Sequence, residues 1–204
     1  MSTGEQTRGA RRERTPGNRR EQILVTAAEL FAVRGFHGVS VAELGTACGV
    51  SGPALYRHFP SKDAMLAEML VSISEELLEV GEERAAEADS PVEAVHALVG
   101  WHVDFALHNK ALIVVQDRDW ASLPDEARER VRELQRKYVE LWVAALRAVH
   151  TDLPARRARA MAHAAFGLIN STPHSAMLAE TEMRPLLEEM ALAALGARTE
   201  LSGG

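Results

Sequence analysis

Apolar residues recur along the chain at the spacing of amphipathic helices. From Arg19 onward, Ile23 and Phe31 fall on one predicted face, and Gly35 follows as a stop signal. This pattern predicts a first helix of about 16 residues. Beyond Gly81 no segment alternates between apolar and polar residues in the way of a strand, so the sequence predicts an all-α chain.

Two short helices follow the first and are separated by a tight turn. Ser40 and Glu43 have the spacing of the reciprocal capping box that marks a helix start. Gly49 permits a sharp turn after this second helix, and Ser51 caps a third helix that has Pro53 in its first turn. Two short helices joined in this way are typical of a helix-turn-helix.

The third helix is predicted to have a buried side and an exposed side. Leu55 and Phe59 are four residues apart, so both point onto the first two helices. Tyr56, Arg57 and His58 lie around the remaining surface. A helix too short to be stable alone is therefore held by its neighbours and exposes its polar side.

The remaining pattern predicts a larger helical unit. Ser61 caps a fourth helix that connects the two units, and Asn109 is a candidate cap for a short helix further on. Other helix starts are predicted at residues 90–93, 123–126 and 152–155, and a last helix near Glu182 to Leu195. The predicted divisions are a disordered basic arm (1–18), a three-helix helix-turn-helix domain (19–62) and a C-terminal helical domain (63–204).

Charge is distributed unevenly along the chain. The net charge is −6 at pH 7, yet residues 1–62 hold nine Arg and Lys against five Glu, while residues 63–204 hold 14 basic against 24 acidic residues. The basic N-terminal part favours a polyanionic partner. Two interpretations of the arm, residues 1–18, stay open: it enters a DNA minor groove, or it remains solvated.

Composition excludes several classes of protein. Cys48 is the only cysteine, so an intramolecular disulfide framework is excluded. The sequence has no run of about 18 apolar residues and no apolar core of the secretory kind after its basic start. We therefore expect a cytoplasmic protein without a membrane partner.

The sequence predicts no metal site, no cofactor and no catalytic residues. His96, His102 and His108 are each six apart, a rotation of about 600° that leaves them on three faces of one helix. We find no glycine-rich phosphate loop and no nucleophile elbow. An enzyme is therefore not predicted.

Residues 23–66, ILVTAAELFAVRGFHGVSVAELGTACGVSGPALYRHFPSKDAML, resemble the DNA-binding domain of the TetR family of transcriptional repressors. The shared features are the glycine-aromatic corner, the capped second helix, the GVS turn, LYRHF and the lysine after it. Gly45 and Cys48 depart from the alanines common in the family. The resemblance implies a homodimer that binds a palindromic operator in double-stranded DNA, with half-sites roughly 34 to 36 Å apart.

The resemblance also implies which residues contact DNA. Donors to phosphate and shaped donors or apolar edges for bases are what such contacts require. The implied phosphate contacts are Ser40, Tyr56, His58 and Lys62, and the implied groove-facing residues are Thr46, Gly52, Pro53 and Arg57, with Ser51 beside them. A purely structural alternative stays open, in which Tyr56 and His58 pack and the two serines only cap helices.

Large rings and a few polar groups predict a small-molecule site in the C-terminal domain. Pockets between helices are commonly lined in this way, although the rings alone are equally typical of a core. The candidates are Trp101, His102, Phe105, Gln116, Trp120, Tyr138, Trp142, Phe166 and Asn170. Residues 116–142 are similar to TetR-family members that regulate lipid and acyl-CoA catabolism, which implies a fatty-acyl or acyl-CoA effector.

The last two predicted helices are apolar on more than one side, so one stripe can face the core and another a partner chain. The predicted dimer contacts are Met161, Phe166, Ile169, Leu187 and Met190. The sequence thus predicts a homodimeric repressor released from DNA by a small apolar effector. The alternative is a constitutive DNA-binding protein whose C-terminal domain only dimerises.

Overall fold

The computed structural model describes residues 19–175 and 177–197. The predicted arm, residues 1–18, lies outside this range. Within it all regular structure is helical, which confirms the predicted fold class. The helices are α1 (Arg19–Arg34), α2 (Val41–Ala47), α3 (Gly52–His58), α4 (Lys62–Ala86), α5 (Pro91–His108), α6 (Lys110–Asp119), α7 (Asp125–Val149), α8 (Ala155–Ile169) and α9 (Glu180–Leu195), with a 3-10 turn at Trp120–Ser122.

The first three helices form the predicted helix-turn-helix. The capping box between Ser40 and Glu43 begins α2, and Ser51 caps α3 by accepting a hydrogen bond from the Ala54 amide. Gly49 has a φ of +64°, a left-handed conformation that glycine adopts without strain, and this lets the chain turn between the two helices. Ile23, Phe31, Phe36, Leu44, Leu55 and Phe59 form the centre of the core beneath them.

The long helix α4 passes through two hydrophobic cores. Met65 to Leu70 pack with the helix-turn-helix, together with Val115 of α6 and Val131 of α7. About two turns further on, Leu78 belongs to the second core. The domain boundary predicted at residue 62 lies at the start of α4. The first core, however, includes residues on both sides of this boundary.

The second core lies between α5 and α7, with α4, α8 and α9 around them. Trp142 and Leu146 of α7 and Leu98 of α5 are completely buried there. No helix among the described residues is both long enough and apolar enough to cross a membrane.

Two local predictions differ from the structure. Asn109 precedes α6 but does not cap it, because its side-chain amide donates back to the Phe105 carbonyl at 3.0 Å and closes the end of α5. The last helix begins at Glu180, two residues before the predicted start near Glu182, and Pro185 lies in its second turn. The buried side chain of Met183 packs this first turn onto the second core.

Gly81 of α4 provides a test of the packing between α4 and α7. A methyl group at this position would lie 2.8 Å from Cε2 of Tyr138. Gly81→Ala should therefore lower the free energy of unfolding by about 1 to 3 kcal/mol, despite the better helix propensity of alanine. Gly100→Ala in α5 is the matched control, since its methyl group approaches only Glu188, at 4.0 Å, and it should stabilise by about 0.5 to 1 kcal/mol. Urea denaturation measures both, and equal effects would contradict the packing.

Candidate nucleic-acid interface and ligand cavity

The third helix presents the surface that its sequence predicted. Leu55 and Phe59 are each 2% exposed and hold α3 on the core, while Tyr56 is 53% exposed. Arg57 is exposed and His58 is half-buried. A side-chain carbon added to Gly52 would meet no other atom within 4 Å, so the backbone at the start of α3 is open to a close approach.

Two predicted contact residues, Ser40 and Thr46, lie on α2 or at its start. Ser40 is exposed and its hydroxyl donates to Glu43 at 2.7 Å. The hydrogen bonds from the Ser40 backbone and hydroxyl, with one from Arg34, lower the pKa of Glu43 to about 2. Thr46 is exposed and its hydroxyl donates to the Ala42 carbonyl at 3.0 Å. Both side chains are therefore oriented by hydrogen bonds to residues of α2, the helix from which they would contact DNA.

Lys62 makes more internal contacts than the sequence indicates. Its ammonium group donates to the carbonyl oxygens of Phe36 at 2.7 Å and Val39 at 2.9 Å, and lies 4.3 Å from the centre of the Phe36 ring. Two of its three N–H groups therefore hold the turn between α1 and α2. The phosphate contact implied for Lys62 stays a prediction, with one donor left for it.

Two arginines at the start of α1 hold the ends of the helix-turn-helix. Arg19 donates to the carbonyl of Cys48 at 2.5 Å, at the end of α2. Arg20 donates to the carbonyl of His58 at the end of α3, pairs with Glu68 of α4, and stacks 4.2 Å from the centre of the Phe59 ring. Cations suit these positions because helix C-termini carry partial negative charge.

A cavity of about 230 Å³ lies between α4, α5, α6, α7 and the end of α8. Six of the nine predicted ligand residues line it: His102, Phe105, Gln116, Tyr138, Phe166 and Asn170. The other lining residues are Ile73, Ser74, Leu77, Leu112, Ile113, Asp117, Leu134, Gln135, Val139 and His163. The structure therefore brings most of the predicted site together.

The three tryptophans of the prediction do not line the cavity. Trp142 is completely buried behind it, against His102 and Phe166. The indole N–H of Trp101 donates to the Leu77 carbonyl at 2.9 Å, outside the cavity. Trp120 packs against the first core. Helical spacing predicted that these rings face inward. An inward-facing side chain can either pack in the core or line the cavity, and spacing alone does not distinguish the two.

His102 lies at the centre of the cavity wall. Its Nδ1 is 3.2 Å from the Tyr138 hydroxyl and its Nε2 is 3.2 Å from Oδ1 of Asn170. An amide oxygen only accepts, so Nε2 carries the proton and Nδ1 accepts from Tyr138. The ring also stacks on those of Phe166 and Tyr138, with centroids 4.7 and 5.7 Å away.

Burial sets the protonation of this pair. It lowers the pKa of His102 to about 4, against the opposing effect of the hydrogen bond to Asn170. It also raises the pKa of Tyr138. Both side chains are therefore neutral at pH 7, and the polar centre of the cavity wall carries no charge.

Helix α6 connects this cavity to the helix-turn-helix. Gln116 lines the cavity, and two residues later, on another face of the helix, Arg118 donates to the carbonyl oxygens of Phe31 and Ala32 at the end of α1. Oδ1 of the buried Asp119 accepts from the backbone N–H of Phe36 at 3.3 Å. We call Arg118 and Asp119, with these partners, the α6 clamp. The α6 clamp is not predictable from sequence spacing because its hydrogen-bonded residues are more than 80 positions apart.

Comparison with known proteins matches both halves of this architecture. The family model for bacterial regulatory proteins of the tetR family matches residues 23–69, and a tetracyclin repressor-like C-terminal domain model matches residues 88–174. The chain belongs to the TetR family.

Curated and solved TetR-family proteins resemble the chain at moderate identity. The HTH-type transcriptional repressor KstR2 of Rhodococcus jostii is 31% identical over 132 residues, which cover 64% of this chain and 64% of KstR2. A TetR-family regulator from Bordetella parapertussis has a TM-score of 0.76 at 25% identity, covering 86% of this chain and 94% of its own. PfmR from Thermus thermophilus has a TM-score of 0.72 at 26% identity, covering 84% and 97%.

The predicted dimer contacts of this TetR-family chain need correction. Ile169 is completely buried and Leu187 is 4% exposed, so a partner chain cannot reach them. Phe166 faces the cavity. Met190 is 47% exposed and Met161 is half-buried, so only these two remain candidates. Ile169 and Leu187 instead bury their apolar area in the core of the monomer, which removes that area from water without a partner chain.

Metal binding finds no support among the residues that the structure describes. In that part of the chain, no group of three or more His, Cys, Asp or Glu could hold an ion.

The depressed pKa of His102 predicts a pH dependence of stability. Below pH about 6.5 the unfolded chain binds a proton at this residue and the folded chain does not, so stability falls as the pH falls towards about 4. His102→Phe removes this proton uptake. Between pH 7 and pH 5 the wild-type protein should lose about 2 kcal/mol more than the variant in urea denaturation.

The control for this measurement replaces an exposed histidine. His174→Gln should keep the pH dependence of the wild type. Identical losses in the wild-type and His102→Phe proteins would contradict the buried, neutral state of His102.

Proposed function

We propose that this protein is a ligand-responsive transcriptional repressor. It binds a palindromic operator as a homodimer and is released by a small, largely apolar effector in the cavity. One observation carries the proposal: α6 lines the cavity at Gln116 and grips the helix-turn-helix through the α6 clamp. The repressor name of KstR2 adds support from a relative.

The DNA contact is proposed for the exposed side of α3. Tyr56 and Arg57 supply a hydroxyl and a guanidinium group there, and Gly52 admits a phosphate or base edge close to the backbone. Arg57 is the candidate for a guanine contact in the major groove. In a two-fold dimer, the two copies of α3 would meet successive major grooves about 34 to 36 Å apart.

The dimer contact is proposed for the outer side of α8 and α9. Leu186 is 41% exposed and Met190 is 47% exposed on α9, and the small residues Ala164 and Gly167 are exposed on α8. Small residues allow close helix packing, and exposed Leu and Met supply apolar area to bury. A second copy of this face would complete a four-helix interface.

Release from DNA requires an effector that prefers one conformation. A ligand with equal affinity for the DNA-competent and DNA-incompetent states would shift nothing. The cavity is lined by α4 and α6, and both helices also contact the helix-turn-helix. A ligand that moves either helix therefore changes the separation of the two α3 helices. A fatty-acyl or acyl-CoA identity for it stays a prediction.

The overall test selects operators from random duplexes and then adds metabolites. We expect an enriched palindrome whose binding is weakened by a compound that also raises the thermal midpoint of the protein alone. Enrichment of no sequence would reject specific DNA binding. If the protein stays on its operator in the presence of every compound that binds the cavity, the effector role is rejected.

Arg57→Ala tests the proposed contact between α3 and DNA. Loss of this side chain should weaken operator affinity about 10- to 100-fold without lowering thermal stability. Fluorescence anisotropy at fixed salt measures the affinity. Arg136→Ala, which removes the same charge from an exposed site on α7, should leave affinity within about twofold. Equal losses in both variants would show a general charge effect instead of a contact by α3.

Met190→Glu tests the dimer face. A carboxylate buried against an apolar partner surface is costly, so this variant should be monomeric at micromolar concentration in analytical ultracentrifugation. Val33→Glu places the same charge on α1 at a residue that is 82% exposed, and it should stay dimeric. A dimer that persists in both Met190→Glu and Leu186→Glu would place the interface elsewhere.

A further inference from the structure

Among the residues that the structure describes, the lining of the cavity contains no lysine or arginine. Its polar groups are the amides of Gln116, Gln135 and Asn170, the Ser74 hydroxyl and the His102–Tyr138 pair, with His163 exposed at the edge. The only carboxylate among the described lining residues is that of Asp117, which is exposed. A negatively charged ligand would therefore find no cation among the described lining residues, since His102 stays neutral; Arg84, whose charge reaches Tyr138 from outside the lining, is paired with Asp104.

Three amides in the lining, those of Gln116, Gln135 and Asn170, have hydrogen-bonding capacity left. Oδ1 of Asn170 accepts from His102, while its Nδ2 has no hydrogen-bond partner within the described ranges. The half-buried amide of Gln116 likewise makes no hydrogen bond to another described residue. An amide without a protein partner can donate to, or accept from, a bound molecule. By contrast, both ring nitrogens of His102 and the hydroxyl proton of Tyr138 are already used in hydrogen bonds within the protein.

We infer that the cavity takes a compact, uncharged molecule whose carbonyl, hydroxyl or amide group pairs with Gln116 and Asn170, and that it discriminates against carboxylates and acyl-CoA. This inference rests on the proposed function, in which the cavity is the effector site. It narrows the effector class from apolar molecules in general to neutral ones with one polar end, and it argues against the fatty-acyl or acyl-CoA effector that the sequence resemblance implies.

Desolvation is the physical reason for the discrimination. A carboxylate that enters a site without a counter-charge loses its water and regains nothing equivalent, whereas an amide exchanges hydrogen bonds with water for hydrogen bonds with the two side-chain amides. Asp117 at the edge adds repulsion for any anion. The volume of about 230 Å³ lies below the usual range for drug-sized ligands, which is roughly 300 to 1,000 Å³. The phosphorylated part of an acyl-CoA does not fit such a site.

Matched pairs of probes test the inference on the full-length protein. 2-Naphthamide, 4-phenylbutanamide and octanamide are each compared with the corresponding carboxylate, and octanamide also with octanoyl-CoA. Titration calorimetry measures each Kd. We expect at least one amide to bind about 100-fold more tightly than its carboxylate. A carboxylate or octanoyl-CoA that binds as tightly as its amide, or no binding by any amide at millimolar concentration, would overturn the inference.

Charge substitution in the lining gives the second arm of the test. Gln116→Lys supplies the missing cation and should shift the preference towards the carboxylates, and Asn170→Lys serves where the first variant does not fold. Ala144→Lys adds the same charge on the exposed side of α7, outside the cavity, and should preserve the preference for amides. If neither lining variant changes the preference, Gln116 and Asn170 are not the recognition groups and the assignment is overturned.

Operator release is measured separately, so that the two proposals fail differently. An amide that binds about 100-fold more tightly than its carboxylate but leaves the operator bound supports the neutral site and rejects the effector role. A carboxylate that binds and releases the operator supports the effector role and overturns the neutral site.

Discussion

One helix shared between two cores constrains the rest of this molecule. The 25-residue α4 is about 37 Å long at 1.5 Å per residue, and its side chains pack first with the helix-turn-helix and then with the second core. Neither core can rotate about the other without disturbing this shared element. The α6 clamp adds a second attachment at the end of α1. Together with the packing of Val131 of α7 in the first core, these connections determine the position of α3 relative to the cavity.

This arrangement gives the cavity mechanical access to the DNA-binding half. Its walls include Ile73 and Leu77 of α4 and Gln116 of α6, all within a few turns of contacts with the first core. A ligand that spreads or draws together these walls acts on both connections at once. Because packed cores are bistable instead of continuously deformable, a small displacement in the walls can favour one of two orientations of α3.

Local interactions made the N-terminal half predictable, and distant ones limited the rest. Capping by Ser40 and Ser51 and the pair Leu55 and Phe59 depend on residues within four positions, so the spacing alone defines them. The pairing of His102 with Tyr138 and the grip of Arg118 on Phe31 join residues 36 and 87 positions apart. Periodicity likewise predicted two apolar stripes on α8 without indicating which one faces inward. Ala162 and Ile169 of one stripe are completely buried, whereas Met161 of the other is half-buried.

The adjacent arginines at the start of α1 make the integrity of this helix end important for the helix-turn-helix. Arg19 and Arg20 hold the C-terminal ends of α2 and α3, although they belong to a different helix. A chain shortened by proteolysis to begin at Gln22 would lose both attachments, and the C-terminal end of α3 would be held less firmly. In such a fragment α3 would be misoriented, so operator binding would be lost although every DNA-facing side chain is intact. The role of the preceding basic segment is therefore measurable only when cleavage stops before Arg19.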